Sequence, residues 1–388
     1  MIVKEIARKF FFLLKKKPYL LKLYIDSDFQ NFKRNEGQDF FFGYYDRCPE
    51  RNSRILFHEM NDNKVVIIVR EEGNNEEISI GDSKAYNWQM GARAIWIDDD
   101  TVSYNNFDGE KYISIWFSLS EKRVIKTIPM PLMDIYNKDY ILTTNFQRLR
   151  SVDPDYSYHC LPEMDEEDFF DYANDGIWIY DLKKNEKKLL LSILEILSVK
   201  KHRLNQAGKH CINHIMIAPD GKSFMFIHRY KVGGKKFDRL MVYDFKELKC
   251  ILDDPLQSHF CWLDNHTIMG YCGYGGEIGW FQADTKMGTV KKLQELTTAH
   301  PKNGHPTSYG DWIVVDSYPN FARMQELHAY NKITKKIIKL AEFFHDINHK
   351  NYNRCDLHPR FTKNGSAIYI DTLYSGSRQL CKLKLNLE

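Results

Sequence analysis

The sequence predicts an all-β fold, a seven-bladed β-propeller that follows a short N-terminal basic amphipathic helix. Beyond residue 37 the chain breaks into short runs rich in Val, Ile, Tyr, Phe and Trp, separated by Asp, Asn and Gly. Four of these segments repeat one pattern at nearly constant spacing, which indicates a repeat architecture. We therefore divide the chain into an N-terminal segment, residues 1–36, and a propeller, residues 37–388.

The first 24 residues, MIVKEIARKFFFLLKKKPYLLKLY, predict a basic amphipathic helix rather than a signal peptide. The apolar core FFFLL is too short for a signal peptide, and lysines follow it where a small-residue cleavage site would stand. Two interpretations remain open: a helix packed on the protein body, or a peripheral anchor on an anionic inner membrane leaflet. The chain contains no run of about 18 apolar residues, so we expect no membrane-spanning helix.

Weaker copies of the repeat predict the first three blades, at residues 38–70, 91–128 and 134–191. The third copy carries an insertion at about residues 151–175, DPDYSYHCLPEMDEEDFFDYANDG. An acidic, aromatic loop of this length is a candidate lid or binding loop, and a solvated excursion without a role is the alternative. The run KLLLSILEILSVKKHR, residues 188–203, suits a helix or a strand that leads into a long loop.

The last four blades are predicted by one shared pattern, in which a histidine precedes a strand, a turn and a second strand. The segments are INHIMIAPDGKSFMFIHRY, SHFCWLDNHTIMGYC, GHPTSYGDWIVVDSY and DLHPRFTKNGSAIYIDTL, with leading histidines His214, His259, His305 and His358 at intervals of 45, 46 and 53 residues. Further strands such as RLMVYDF and QLCKLKL follow each hairpin. Four strands in roughly 45 residues are typical of a propeller blade.

Composition narrows the classes of function. The formal charge of +3 comes from 55 basic and 52 acidic residues, so we expect no nucleic-acid partner. Aromatic residues make up 14% of the chain, which favours strands and sugar-binding surfaces. The eight cysteines form no C-x-x-C pair, and several lie in apolar runs. A reducing compartment fits best, so we expect a cytoplasmic protein.

Histidines that recur with the blade period are expected to meet, because the first strand of every blade lines the central channel. His214, His259, His305 and His358 should therefore form a ring at one channel mouth. Convergent imidazoles suit a divalent metal, and nearby oxygen ligands shift the preference from zinc toward manganese, iron or calcium. His58 and His228 occupy another position of the repeat and are predicted to be structural. The remaining histidines do not recur at the blade period.

The segment NRCDLHPR adds further candidates beside the last histidine of the ring. Asn353 and Asp356 offer oxygen ligands to a metal. Arg354 and Arg360 offer guanidinium groups that can hold a carboxylate through two hydrogen bonds. The sequence therefore predicts a metal centre with a carboxylate-binding side.

Four stretches of the chain resemble one family of propellers. They are HIMIAPDGKSFMFIHR, SHFCW, GHPTSYGDWIVVDSYP and RCDLHPRFTKNGSAIYIDTLYSGSRQL, and they look like the four histidine-bearing blades of the oligogalacturonate lyase family, in the same order. Members are seven-bladed propellers that cleave uronate-containing oligosaccharides with the help of manganese. The resemblance runs from His214 to the C-terminus, about half of the chain. FFFGYYDRCPE and NWQMGARAIW lie in the other half, which resembles the family mainly in the spacing of its predicted strands and blades.

The resemblance implies roles for individual residues. His259 matches a metal-ligand histidine of the family, and His358 matches the second histidine of its His-Pro-His-Pro segment. Asp356 stands where the first histidine of that segment would be, and Asn353 falls near a ligand glutamine. At these two positions the sequence differs from the family but still offers oxygen ligands. The ligand set becomes harder in the Lewis-base sense and more anionic, so Ca²⁺ or Fe²⁺ are alternatives to Mn²⁺.

His214 matches the proposed proton-abstracting base of the family, and His305 matches a histidine that faces the channel. Eliminating a 4-linked sugar from a uronate requires removal of the C5 proton, which becomes acidic only when the adjacent carboxylate is neutralised by a metal or an arginine. Arg354 or Arg360 would supply the arginine. Aromatic candidates for binding the sugar are Tyr44, Tyr45 and Tyr309.

The sequence leaves two other functions open. A cytoplasmic propeller with a basic amphipathic segment also suits a glycosyltransferase or another sugar-modifying enzyme of surface-polysaccharide assembly. However, the chain has no Gly-rich phosphate loop and no D-x-D between apolar strands. A non-catalytic propeller that binds glycans or proteins is the second alternative, because propellers host many unrelated functions.

Overall fold

Seven antiparallel sheets form the seven blades of a propeller in the computed structural model of the chain, which describes residues 12–32, 37–73, 76–200, 208–254 and 256–387. The all-β prediction and the blade count are confirmed. Because the side chains of a strand alternate between its two faces, each sheet presents an apolar face to both neighbouring blades. Buried apolar clusters accordingly fill the spaces between blades, the largest lying beside blades 3 to 5.

The strands follow one another along the chain in blade order. They are β1 (Leu21–Leu23), β2 (Phe29–Asn31), β3 (Phe40–Phe41), β4 (Glu50–Arg51), β5 (Arg54–Asn61), β6 (Lys64–Glu71), β7 (Glu77–Ser83), β8 (Ile95–Trp96), β9 (Thr101–Phe107), β10 (Tyr112–Ser118), β11 (Arg123–Ile128), β12 (Asp134–Tyr136), β13 (Tyr140–Thr144), β14 (Gly176–Asp181), β15 (Glu186–Ser192), β16 (Lys209–Ile217), β17 (Phe224–Val232), β18 (Lys235–Tyr243), β19 (Leu248–Leu252), β20 (Gln257–Trp262), β21 (Thr267–Tyr274), β22 (Glu277–Asp284), β23 (Val290–Lys292), β24 (Pro306–Tyr309), β25 (Trp312–Asp316), β26 (Met324–Asn331), β27 (Ile337–Phe344), β28 (Arg360–Phe361), β29 (Ala367–Thr372) and β30 (Gln379–Lys384).

In each blade the first strand lies nearest the propeller axis. Blade 1 is β3-β5-β6-β7 with β4 beside β5, blade 2 is β8 to β11, blade 3 is β12 to β15, blade 4 is β16 to β19, blade 5 is β20 to β23, blade 6 is β24 to β27 with β1, and blade 7 is β28 to β30 with β2. Helices occur in the connections. They are α1 (residues 12–15), α2 (Phe146–Val152), α3 (Glu166–Phe170), α4 (Ile193–Ser198) and α5 (Gln294–Ala299), with 3-10 turns at Pro154–Tyr156 and Asn351–Asn353.

The N-terminal segment closes the ring. Leu21 pairs with Phe343, so that β1 becomes the outermost strand of blade 6. Phe29 pairs with Leu383, so that β2 becomes the outermost strand of blade 7. Strands from residues 21–31, which precede the predicted start of the propeller at residue 37, thus complete the two C-terminal blades.

Part of the predicted amphipathic helix, residues 1–11, lies outside the described residues. The helix α1 follows, and Phe12 packs its ring against Phe344 at a centroid distance of 6.0 Å. Leu13 and Leu14 are 73% and 66% exposed. Among the described residues, no helix combines the length and the apolar character needed to span a bilayer.

The ambiguous run after the insertion forms a strand followed by a helix. It contributes the end of β15 and then α4, which begins at Ser192. The Ser192 side chain accepts a hydrogen bond from the Glu195 N–H, and the Glu195 carboxylate accepts one from the Ser192 N–H. This capping box explains why the strand period changes to a helix at that residue.

We expect Phe32→Ala to destabilise the fold by about 3–5 kcal/mol, because it leaves a cavity where a buried aromatic ring packs just after strand β2. Phe32 is 5% exposed, and its ring stacks on Tyr369 at 6.0 Å. Leu20→Ala is the matched control, since Leu20 is 49% exposed, and it should change the free energy of unfolding by about 0.5 kcal/mol or less. Urea denaturation measures both, and equal effects would contradict the described closure.

Candidate metal centre and active site

The structure brings the four repeat histidines together on the propeller axis. The ring centroids of His214 and His259 lie 5.5 Å apart, those of His259 and His305 3.9 Å apart, and those of His305 and His358 4.2 Å apart. All four side chains are buried. Imidazoles from blades 4 to 7 thus share one small volume, although 144 residues separate the first from the last.

Irregularities in the first strands direct two of these side chains to the axis. The pairing of β16 with β17 shifts between Asn213 and Met216, so that His214 lies in a bulge with φ of 54°. The Asn213 side chain accepts a hydrogen bond from the His214 N–H at 2.8 Å. The pairing of β20 with β21 shifts in the same way around His259. Bulges commonly re-aim a side chain near an active site.

One buried carboxylate, that of Asp316 at the end of β25, organises the next two histidines. Its Oδ1 accepts hydrogen bonds from the His305 N–H at 2.6 Å and from His305 Nδ1 at 3.0 Å. Its Oδ2 accepts the His358 N–H at 2.9 Å, and His358 Nδ1 donates to the Gly43 carbonyl at 2.7 Å. Because both Nδ1 atoms donate, Nε2 is the nitrogen that each ring has left to bind a metal.

The Nε2 atoms of His305 and His358 are buried and have no hydrogen-bond partner among the described residues. One ligand atom each from His305, Asp356 and His358 lie within 4.8 Å of one another. A histidine whose Nδ1–H is held by a carboxylate or a carbonyl is oriented as metal-ligating histidines are. Two nitrogens and a carboxylate oxygen therefore fit a divalent cation such as Mn²⁺ or Fe²⁺.

Arg354 already holds the carboxylate of this group. Its guanidinium makes three hydrogen bonds of 2.7–2.9 Å to Asp356 and lies over the Tyr318 ring at 4.7 Å. Burial alone would raise the pKa of Asp356, yet the Arg354 charge holds it well below its usual range. Asp356 is therefore an anion at neutral pH, and a cation would compete with Arg354 for it.

The histidines that could accept a proton are neutral. Burial lowers the pKa of His214 well below its ordinary value, and the charge of Arg229 lowers it further. Burial likewise lowers the pKa values of His259 and His358. The Nδ1 of His214 is buried and has no hydrogen-bond partner among the described residues. His214 thus presents a free lone pair beside the candidate metal ligands.

Tyr44 and Tyr45 lie beside the histidines of the ring. The Tyr44 ring stacks on His214 at a centroid distance of 5.3 Å, and its buried hydroxyl has no hydrogen-bond partner among the described side chains and backbone. The Tyr45 hydroxyl donates to the Phe260 carbonyl at 2.9 Å. Tyr44 can therefore still bind a ligand through its hydroxyl, whereas the Tyr45 hydroxyl supports the bulge of β20.

The insertion of blade 3 reaches the site. Its 3-10 turn places the Tyr156 hydroxyl 3.3 Å from His259 Nε2, and the Tyr156 ring lies edge-on to His214 at 4.9 Å. Asp153, one turn earlier, accepts a hydrogen bond from the Asn213 amide at 2.9 Å. The insertion therefore covers the histidines, which favours the lid interpretation over a solvated excursion.

Sequence reasoning missed three residues of the site, namely Asp316, Tyr156 and Tyr318. A weak signal existed for Asp316, because WIVVDSY ends a buried apolar strand on an acidic residue just after the His305 strand. Tyr156 and Tyr318 carried no signal, since the sequence contains 23 tyrosines and neither position repeats with the blades.

Three predicted residues make contacts other than the predicted ones. The Asn353 side-chain oxygen accepts the Lys350 N–H at 2.9 Å, so that it caps a 3-10 turn. Tyr309 is 44% exposed at the end of β24, where its ring packs on Phe361. Arg360 is buried and bonded to the protein itself. One terminal nitrogen of Arg360, Nη1, has no hydrogen-bond partner among the described residues. The ligand role of Asn353, the sugar role of Tyr309 and the substrate role of Arg360 stay predictions.

Arg360 instead positions the channel segment that carries Tyr44. Its Nε donates to the Tyr44 carbonyl at 2.8 Å and its second terminal nitrogen to Asp371 at 2.6 Å. Asp371 in turn accepts the N–H groups of Phe42 and Gly43. The arginine and the aspartate together fix the backbone that receives the His358 hydrogen bond.

We expect Arg360→Met to cost about 3–5 kcal/mol of folding free energy, because it leaves the buried Asp371 carboxylate without its cation. The exposed Lys363→Met is the matched control, with an expected change of about 0.5 kcal/mol or less. Chemical denaturation measures both variants. If the Arg360→Met protein were as stable as the unsubstituted protein but failed to bind substrate, Arg360 would be a substrate-binding residue.

Solved structures of known proteins share this architecture. An oligogalacturonate lyase in complex with manganese matches with a TM-score of 0.62 and 15% identity, over 94% of this chain and 97% of that chain. The chain has the fold of oligogalacturonate lyase. A second one, from Vibrio parahaemolyticus, matches with a TM-score of 0.60 and 13% identity, over 94% of this chain and 98% of that chain. The resemblance seen in the C-terminal blades thus extends, as a fold, over both halves.

Other propellers share less of the fold. The tricorn protease matches with a TM-score of 0.50 and 9% identity, over 88% of this chain but only 34% of that chain. No protein-family model and no curated protein matches the sequence.

Proposed function

We propose that the chain is a metal-assisted lyase that cleaves a uronate-containing oligo- or polysaccharide by β-elimination. The observation that carries the proposal is the pair of buried Nε2 atoms of His305 and His358, which have no hydrogen-bond partner among the described residues, in a group of ligand-type side chains with Asp356. His214, with its own free lone pair, lies in the same ring of imidazoles. A cation site and a neutral base in one buried volume are the two parts that such an elimination needs.

His305, His358 and Asp356 would hold the cation. A divalent ion there, Mn²⁺ first and Ca²⁺ or Fe²⁺ otherwise, would neutralise the uronate carboxylate and stabilise the charge that develops when C5 loses its proton. His259 is an expected ligand as well, and its Nε2 is at present bonded to the Tyr156 hydroxyl.

His214 is the proposed base. Its buried ring is held between Tyr44, which stacks on one face, and Tyr156, which contacts it edge-on. Its depressed pKa keeps the ring neutral, so that it can take the C5 proton on the unpartnered Nδ1. The same packing holds the ring in one orientation.

Arg354 is the proposed carboxylate-binding residue. Its guanidinium lies over the Tyr318 ring at 4.7 Å and can make two hydrogen bonds to a carboxylate, as it now does with Asp356. When Asp356 serves a cation, this guanidinium becomes free for the uronate. Tyr44, whose hydroxyl has no partner among the described residues, is the remaining candidate for binding the sugar or donating a proton to the leaving oxygen.

Access to the site requires movement of its cover. The histidines are buried, and the turn Pro154–Tyr156, which carries Tyr156, contacts the turn Asn351–Asn353. A sugar chain can reach His214 only when Tyr156 withdraws from His259. Lids of this kind exclude water while the reaction proceeds.

The proposal is tested by incubating metal-free protein with uronate oligomers of several linkages, with and without Mn²⁺. The expected result is a rise in the ultraviolet absorbance of unsaturated uronate that requires the cation and stops on chelation. Protein that carries a stoichiometric cation and yet leaves every oligomer intact would overturn the lyase proposal.

A non-catalytic glycan-binding propeller is the second candidate, favoured by the closed Arg354–Asp356 pair. In that case the purified protein should hold no divalent cation and should bind oligomers without changing them. Isothermal titration with the same oligomers separates the two functions, because only the lyase consumes its ligand.

Contact with an anionic membrane and a cytoplasmic location also remain proposals. Exposed Leu13 and Leu14 precede three lysines, which suits the surface of an inner leaflet, and all eight cysteines, each within the described residues, are free thiols. We expect co-sedimentation with anionic vesicles to fall by about tenfold in the Leu13→Glu/Leu14→Glu variant. Equal sedimentation of both proteins, or none, would contradict the membrane contact.

A further inference from the structure

A second cluster of ligand-type side chains lies between blades 5 and 6, away from the central ring. His300 follows helix α5, and Glu326 and His328 lie on the same face of β26. One ligand atom from each residue lies within 4.8 Å of the other two, and the two histidine rings are 4.7 Å apart. Neither histidine is in phase with the blade repeat, so the central site does not account for them.

The hydrogen bonds leave unpaired nitrogens in this cluster. His300 Nε2 lies 2.9 Å from the Asp316 carbonyl, so it donates, and the lone pair of the neutral ring is on Nδ1. That Nδ1 is buried and has no hydrogen-bond partner among the described residues, and the same holds for His328 Nδ1. A buried nitrogen without a partner is unfavourable unless a donor or a cation occupies the space beside it.

Charge in the cluster also suits a cation. Burial lowers the pKa of His300 and lowers that of His328 to about 3, so both rings are neutral. Burial acts to raise the pKa of Glu326, but its hydrogen bond from Lys302 lowers it overall, so that the carboxylate is ionised. Lys302 donates at 2.6 Å and its side chain is 36% exposed, so that it can turn to solvent and release the carboxylate.

We propose that His300, Glu326 and His328 form a second metal site, which binds zinc or a similar borderline cation. Two imidazole nitrogens and one carboxylate oxygen provide three of the four ligands of a tetrahedral zinc ion, and water provides the fourth. Both sites offer two imidazoles and one carboxylate, so the second site differs from the central one in its position between blades 5 and 6 and not in its type of ligand.

Asp316 connects the second site to the central site. The Asp316 carbonyl accepts the hydrogen bond from His300, whereas the Asp316 carboxylate holds His305 and His358. An ion that fixes His300 would therefore also fix the residue that orients the two central imidazoles. This gives the second ion a structural role that is independent of whether the central ring performs chemistry.

The test is the number of zinc equivalents that the full-length protein binds, measured by titration and elemental analysis after removal of metal. His328→Gln is expected to lower that number by one. His266→Gln, on an exposed turn after Asp264, is the matched control and should leave it unchanged. Because the comparison counts a difference, it gives the same answer whether the central site binds one ion or none.

Glu326→Gln keeps the shape of the side chain. It allows the proposal to be tested even if the His328→Gln variant does not fold. It is expected to weaken the affinity for one zinc equivalent by at least about tenfold. Cobalt bound in place of zinc should show the intense visible absorption of a tetrahedral site, and His328→Gln should lower this absorption by the contribution of one bound ion. Equal zinc binding by unsubstituted protein, His328→Gln and Glu326→Gln would overturn the proposal.

Discussion

The His214→Asn variant should form unsaturated uronate about 10²–10⁴-fold more slowly than the unsubstituted protein, because it lacks the base that takes the C5 proton. Asparagine is the suitable replacement, since it tolerates the positive φ of 54° at this position better than alanine does. The reaction is followed by ultraviolet absorbance under saturating cation.

The controls separate chemistry from folding and metal binding. His214→Asn should keep the cation content and the melting temperature of the unsubstituted protein, because its Nδ1 makes no protein hydrogen bond among the described residues. Tyr309→Phe should retain full activity, since Tyr309 packs on Phe361 at the exposed end of β24. Undiminished activity of His214→Asn would rule out this residue as the base.

Loss of the central imidazoles should remove the cation. We expect His358→Asn to weaken Mn²⁺ binding by more than about 100-fold, because it deletes a nitrogen that no protein group satisfies. Asp316→Asn should weaken it by about 10- to 100-fold, since Asp316 orients His305 and His358 without reaching the ion. Isothermal titration of metal-free protein measures both affinities.

The relative loss of Mn²⁺ affinity in the two variants shows which residue binds the cation. If Asp316→Asn weakened binding more than His358→Asn, the carboxylate rather than the imidazole would be the ligand. If neither changed it, the cation would bind elsewhere, for example at His300 and His328. His266→Gln is the control in both series, because its exposed turn contributes no atom to either cluster.

Sequence reasoning could predict the architecture because a propeller is built from local units. Each blade is a run of adjacent antiparallel strands, so the turn residues and the apolar alternation of APDGKS and TKNGS are visible without knowledge of any distant contact. The same argument brought His214, His259, His305 and His358 to one axis, since the blade period converts spacing along the chain into position around the ring.

The closure of the ring could not be predicted in the same way. Leu21 pairs with Phe343 and Phe29 with Leu383, and nothing in the short runs LKL and FQN identifies partners so far along the chain. Edge strands of a blade accept any extended segment that satisfies their free N–H and C=O groups. The partner is therefore chosen by the tertiary structure.

Two of the predicted site residues bond to partners that lie nearer in the protein. Arg360 was expected to bind a carboxylate and does so, but the carboxylate is Asp371 of its own blade. Asn353 was expected to ligate a metal, and its oxygen instead caps a turn through Lys350. Residue type predicts the chemical capacity of a side chain, whereas only the fold determines which group uses it.

Diffraction at the manganese absorption edge, from a crystal grown with Mn²⁺, tests the central claim most directly. The account predicts an anomalous peak at bonding distance from His305 Nε2, His358 Nε2 and an Asp356 oxygen, with Arg354 turned away from that carboxylate. A map without a peak at this position, in which the Arg354–Asp356 hydrogen bonds persist, would contradict it.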